Sequence, residues 1–190
     1  MDAEGKVLPL THWDIRDFSP EEIRLIVEGS RADRIRLFLK RILPAGHNMA
    51  FSAKLKNELL PFPNIPECHD SWIGYVVLLN SDWAAVNEKL TLYRQHGNNV
   101  SQFGREGQFK RAIRSIRNNS FSWTEALFAE LETQFQNRLE PELFALLHER
   151  RLHAKARKAM NYANFWERLP LVYGEWSTGR YQRYGRGNKN

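Results

Sequence analysis

Hydrophobic residues recur along much of the chain with the 3.6-residue period of an α-helix, and residues typical of helix ends separate the periodic segments. The clearest example lies between Ser19 and Gly29. Ser19 is a predicted N-cap, Pro20 stands at the first helical position, Glu22 completes a capping box and Gly29 ends the helix. This segment is predicted to be a short helix with one apolar face, formed by Ile23, Ile26 and Val27.

The same pattern predicts further helices. Ser30 and Asp33 open a second helix that runs towards Pro44, and Pro141 stands at the first turn of a long final helix. The run WIGYVVLL at 72–79 fits a buried strand or a buried helix, and its neighbours favour the helix. The final helix spans 142–161. The other predicted helices are 50–60, 82–97 with a stripe of Trp83, Val86, Leu90 and Tyr93, 109–117, and a helix capped by Ser122 that runs to 139.

The overall class predicted from these segments is all-α, because no Asn-Gly or Asp-Gly hairpin pattern joins alternating segments. We expect a compact multi-helix domain of about seven helices over residues 1–169. Residues 170–190 contain four glycines and few aliphatic residues, so this basic, aromatic segment is predicted to be an irregular tail.

Composition and charge exclude several classes of protein and of binding site. Among 190 residues, 28 are Lys or Arg and 22 are Asp or Glu, giving a net charge of +6, and residues 149–190 alone hold ten cations and three acids. The single cysteine, Cys68, excludes an intramolecular disulfide and any multi-cysteine zinc site. The longest uncharged apolar run is far shorter than the ~20 residues that span a bilayer, so we expect a soluble, cytoplasmic protein without membrane contact.

Three basic segments could bind a polyanion. On the predicted helix 109–117, Phe109 and its apolar neighbours face one way and four cations face the other. The last predicted helix has five cations within nine residues, more than its dipole alone would favour. In the tail, arginines recur every three residues beside tyrosines. The predicted phosphate-binding cations are Lys110, Arg111, Arg114, Arg117, Arg150, Arg151, Lys155, Arg157, Lys158, Arg180, Arg183 and Arg186, and the predicted base-stacking rings are Trp176, Tyr181 and Tyr184.

Catalytic patterns are weaker. His148 and His153 lie five residues apart, which rotates them too far around a helix to share one metal ion. Cys68 and His69 are adjacent in sequence, but nucleophile and base normally meet through the fold. No phosphate-binding loop motif is present. No metal, cofactor or catalytic residue is therefore predicted.

The favoured hypothesis is a non-catalytic nucleic-acid-binding protein of weak sequence specificity. RNA or single-stranded DNA is the expected ligand, and the chain would be an accessory subunit of a nucleoprotein assembly that contains other proteins. The main alternative is a protein-interaction adaptor in which the same cations dock on an acidic partner. A third hypothesis is a metal-independent nuclease using His96, His148 or His153.

Overall fold

The computed structural model describes residues 2–9, 11–41, 46–65, 69–94 and 120–185. These residues form helices and connecting segments without a strand, which confirms the all-α class. Short 3₁₀ turns occupy Gly46–Asn48 and Ala53–Leu55. The α-helices are α1 (His12–Arg16), α2 (Pro20–Glu28), α3 (Arg31–Lys40), α4 (Lys56–Leu59), α5 (His69–Asn80), α6 (Ser120–Phe135), α7 (Pro141–Tyr162), α8 (Phe165–Ser177) and α9 (Arg180–Tyr184).

The N-terminal helices start where their capping residues predict. The Ser19 side chain accepts from the Glu22 backbone N–H at 3.1 Å, and the Glu22 carboxylate accepts from the Ser19 N–H at 2.9 Å. Ser30 and Asp33 form the same reciprocal pair at the start of α3. Both predicted helices are confirmed. Each cap stabilises its helix because it satisfies backbone donors that the first turn leaves unpaired.

The core lies between a long helical hairpin and the helices of the N-terminal half. The hairpin consists of α6 and α7, which pack along each other, and α3 packs against α7 and α5. Helix α5 is buried on several sides, which explains why 72–79 shows no helical period. Side chains with at most 2% exposure fill this core, namely Ile26, Ile35, Phe38, Leu39, Val76, Leu78, Leu79, Leu127, Phe128, Leu131, Phe135 and Leu147.

The predicted helix at 82–97 is wrong over the described residues 82–94, which have no helix. Val86 and Leu90 from the predicted stripe are more than 60% exposed. Contacts with distant residues hold this segment in a non-helical path: Arg34 Nη1 donates to the Trp83 carbonyl at 2.8 Å, and the Trp83 ring lies 5.3 Å from that of Phe38. Tertiary bonds outweigh local helical propensity here.

Two other helix boundaries also differ from prediction. The predicted helix 50–60 is a 3₁₀ turn followed by the short α4, and Phe51 is exposed. Helix α6 begins at Ser120, so Ser122 lies within the helix and not at its cap. The predicted helix 109–117 lies outside the described residues.

The prediction of an irregular tail is wrong for residues 170–184, which lie in α8 and α9 apart from a short connection. Asn164 caps α8, and Glu167 completes its capping box. Pro170 lies inside α8, where it removes one hydrogen bond without ending the helix. Helix α9 packs against α3, α7 and α8, and Tyr184 is only 7% exposed. Burial of this ring stabilises α9, a five-residue helix flanked by Gly179 and Gly185.

Candidate interaction surface

Five predicted phosphate-binding residues lie outside the described part of the chain. These are Lys110, Arg111, Arg114, Arg117 and Arg186. The undescribed positions together hold seven Lys or Arg and two Glu, a net +5, which leaves 21 cations and 20 acids, or +1, for the described residues. The excess positive charge therefore belongs almost entirely to residues whose positions the structure does not describe.

Arg150 is held by aromatic rings. Its guanidinium carbon lies 5.2 Å from the Phe128 ring centroid and 5.8 Å from that of Tyr184. Its Nε and Nη1 atoms are buried without a hydrogen-bond partner, and burial lowers the pKa of this arginine. A guanidinium in this position stabilises ring packing by cation–π attraction.

Arg151 and Lys158 bind carboxylates of α6. Arg151 Nη1 donates to Glu132 Oε2 at 2.6 Å, and Lys158 Nζ donates to Glu125 Oε2 at 3.3 Å. The hydrogen bond with Glu132 raises the pKa of Arg151. His148 Nδ1 lies 3.1 Å from Glu132 Oε1. These cations tie α7 to α6, so their charge is largely neutralised within the chain.

A second charged cluster joins α7, α8 and α9. Glu175 of α8 is 1% exposed, and it accepts from Arg180 Nε at 2.8 Å while His153 Nδ1 lies 2.5 Å from its other oxygen. Burial, with the nearby charges of Arg150 and Arg157, lowers the pKa of His153 despite the carboxylate. An ionised carboxylate can only accept, so the His153 Nδ1 hydrogen is donated to Glu175. This cluster joins α8 to α7 through His153 and to α9 through Arg180.

The remaining tail residues also contact α7. Arg183 Nη2 donates to Glu149 Oε1 at 3.1 Å, and the Tyr184 hydroxyl donates to the Leu146 carbonyl at 3.3 Å. Burial, followed by the nearby Glu149 carboxylate, raises the pKa of Tyr184 to about 12. The predicted stacking role of Tyr184 does not fit this position, because the ring is part of the core.

Among the predicted residues that the structure describes, only Tyr184 is buried, and Lys155, Trp176, Tyr181 and Arg183 are exposed. Lys155 is exposed on α7, and Trp176 is 62% exposed on α8. Tyr181 is 38% exposed and carries the Arg157 guanidinium 5.8 Å above its ring. The described cations keep part of their surface in solvent, but Arg151, Lys158, Arg180 and Arg183 are each paired with a carboxylate of the chain.

The most unusual surface of the described residues is an apolar face on α8. Six large side chains recur at positions i, i+1, i+4, i+7, i+8 and i+11, within about 120° of arc at 100° per residue. Each is between 47% and 76% exposed. On the opposite side, Glu175 is buried and Leu171 and Gly174 are half-buried, whereas Glu167 and Arg168 in the first two turns are exposed. We call this surface the α8 apolar face; it comprises Phe165, Trp166, Leu169, Val172, Tyr173 and Trp176.

Of this face, the sequence alone predicts a role only for Trp176, as a base-stacking ring. The helical spacing of all six residues is visible in the sequence, together with Asn164 and Glu167 as a capping box. Pro170 and the later glycines obscured the helix. The sequence does not show which side of this helix is covered. The structure shows it, because Glu175 is buried and the six apolar residues are exposed.

Within the described ranges, no group of three or more His, Cys, Asp or Glu side chains could hold a metal ion. His148 and His153 each contact a different glutamate. Cys68 lies outside the described residues, so the nucleophile pattern at 67–70 has no geometry to assess beyond the His69–Asp70 pair. None of the described helices combines the length and apolar character needed to cross a membrane.

Comparison with protein-family models, with curated proteins and with solved structures found no match for this chain.

Proposed function

We propose that this protein is a non-catalytic interaction subunit that docks another protein chain on the α8 apolar face. The observation that supports this function is the exposure of six large apolar side chains on one side of a single helix. Monomeric proteins seldom expose a contiguous apolar patch above about 600 Å², and aromatic residues are enriched at the centres of protein interfaces.

Charge favours a protein ligand over a nucleic acid on this face. The exposed charged residues of α8 are Glu167 and Arg168, which sum to zero, and Glu175 is buried. A nucleic-acid surface needs cations that release counterions from phosphates. In the neighbouring helix, Arg151 and Lys158 are already bound to acids. These paired cations are therefore weak support for the hypothesis of an acidic partner. The apolar face is stronger support for a partner that docks by covering the exposed rings.

Site-specific photocrosslinking in the native cells tests this function. A photoreactive phenylalanine analogue replaces Trp166 or Tyr173 in the full chain, and the matched control carries it at Val86, which is 62% exposed but lies outside α8. We expect a discrete protein adduct from both α8 positions and none from the control. Adducts of equal yield at all three positions, or no adduct, would reject docking on α8.

Nucleic-acid binding is the second candidate, favoured by the exposed rings of Trp166, Tyr173 and Trp176 and by the cation pattern at 109–117. Fluorescence-anisotropy titration of short RNA, single-stranded DNA and duplex DNA at two salt concentrations tests it. Micromolar binding that weakens steeply with salt and falls in Trp166→Ala, but not in Val86→Ala, would favour this candidate. Absence of binding at low salt would remove it.

A further inference from the structure

We infer that the occupant of the α8 apolar face is a second copy of this chain, packed antiparallel across a twofold axis. This inference rests on the proposed docking function and names its partner. Three observations carry it: the exposed area of the face, its charge, and the order of large and small side chains along α8.

The area matches half of a dimer interface. With roughly 200 Å² for a whole aromatic side chain, the exposed fractions of Phe165, Trp166, Tyr173 and Trp176 correspond to about 540 Å² of ring surface in solvent. Leu169 and Val172, each 47% exposed, raise this to about 700 Å². A standard stable interface buries about 800 Å² on each partner, so this face supplies most of the area that one partner of a dimer contributes.

The charge of the face permits self-association. None of its six residues is charged, and the adjacent Glu167 and Arg168 have opposite signs. A face without net charge packs on its own copy without like-charge repulsion, whereas a strongly acidic or basic partner would find no complementary charge here. Homodimer interfaces are also the most apolar class of protein interface.

The order of side-chain sizes reads the same in both directions. Phe165 and Trp166 form a ring pair at the start of the face, with centroids 5.3 Å apart, and Tyr173 and Trp176 form a ring pair at its end, 6.3 Å apart. Leu169 and Val172 lie between them. In an antiparallel pair, the ring pair at each end meets the opposite ring pair of the copy, and the smaller central residues let the helix axes approach.

Sedimentation equilibrium of the purified full chain between about 1 and 100 μM tests the dimer. We expect twice the chain mass for the wild type and for Val86→Glu, and at least about a 30-fold weaker association for Leu169→Glu, the loss typical of a central interface residue. Circular dichroism checks that Leu169→Glu stays folded, as its 47% exposure predicts. A mixture of Leu169→Glu and Leu169→Lys chains is expected to recover association, because the two substitutions place opposite charges at the centre of the interface.

Two results would overturn the inference. A wild-type chain that stays monomeric at 100 μM would do so, as would a dimer that Leu169→Glu does not weaken. The photocrosslinking experiment separates this failure from failure of the docking function. A monomeric chain that gives a discrete adduct with a different protein at Trp166 keeps the docking function and rejects the dimer, whereas a monomeric chain without adducts rejects both.

Discussion

Glu175 provides the sharpest test of how the C-terminal helices are held. Its carboxylate is 1% exposed and accepts from Arg180 and His153, which belong to two other helices. Glu175→Ala leaves the His153 Nδ1–H, on a ring 3% exposed, without an acceptor and removes the counter-ion of Arg180. Loss of one member of a buried ion pair costs about 3–5 kcal/mol. The Arg180 side chain is 19% exposed and can turn towards water, so we expect a loss of about 3 kcal/mol.

Urea denaturation followed by circular dichroism at pH 7.5 measures this loss, with the m-value unchanged from wild type. Glu175→Gln keeps the side-chain shape and one acceptor, so its expected loss is smaller, about 1–2 kcal/mol. The matched control is Glu142→Gln, whose side chain is 89% exposed and lies 4.0 Å from Arg36. This control is expected to change stability by less than about 0.5 kcal/mol.

The reasoning fails if Glu175→Ala costs less than about 1 kcal/mol, since a buried carboxylate with two partners cannot then be holding α8 and α9. Equal losses in Glu175→Gln and Glu142→Gln would also contradict it, because burial would then make no difference to the ion pair.

Three further predictions follow from buried or capping groups. Arg150→Met is expected to leave urea stability within about 1 kcal/mol of wild type or to raise it, because the thioether keeps contact with the rings and removes two unpaired buried nitrogens. Burial and the nearby Arg16 lower the pKa of His12 to about 4, below its unfolded value of 6.5. The unfolded chain therefore binds more protons, so stability is lost as pH falls from 6.5 towards 4, and melting temperatures at pH 7 and 4.5 are expected to differ less in His12→Gln. Ser30→Ala is expected to cost about 1 kcal/mol in urea, because its hydroxyl caps α3.

Matched variants control these predictions. Arg151→Met breaks the ion pair with Glu132, so it is expected to lose more stability than Arg150→Met, and the reverse order would contradict the assignment of the two arginines. Ser52→Ala removes a cap hydrogen bond of 3.4 Å and is expected to cost less than Ser30→Ala. An unchanged pH dependence in His12→Gln would show that another group titrates in that range.

The helices that sequence reasoning predicted best depend on short-range chemistry. Ser19 with Glu22, and Ser30 with Asp33, satisfy each other within four residues, so nothing distant is needed to form them. Pro141 at the start of α7 likewise acts through its own backbone geometry. The helical period of the apolar residues, with no hairpin pattern between segments, predicts the all-α class.

The candidate site was predicted less well, because its character depends on partners far away in the sequence. Arg151 meets Glu132 across 19 residues, and Arg183 meets Glu149 across 34, so a count of local cations overstates the charge that remains free. The predicted helix at 82–97 failed for the same reason, since contacts of Trp83 with Arg34 and Phe38 decide its path.

The sequence by itself determined the helical class, the N-terminal caps and the helical spacing of apolar residues along α8, because each is set within a few turns of one chain segment. Only the tertiary structure decided which side of α8 is covered. Glu175 is buried between His153 and Arg180 on one side of α8, whereas Trp166 and Leu169 on the apolar side lie in solvent. A helical period locates an apolar face, but whether that face lies in the core or on the surface depends on the free energy of contacts between distant helices.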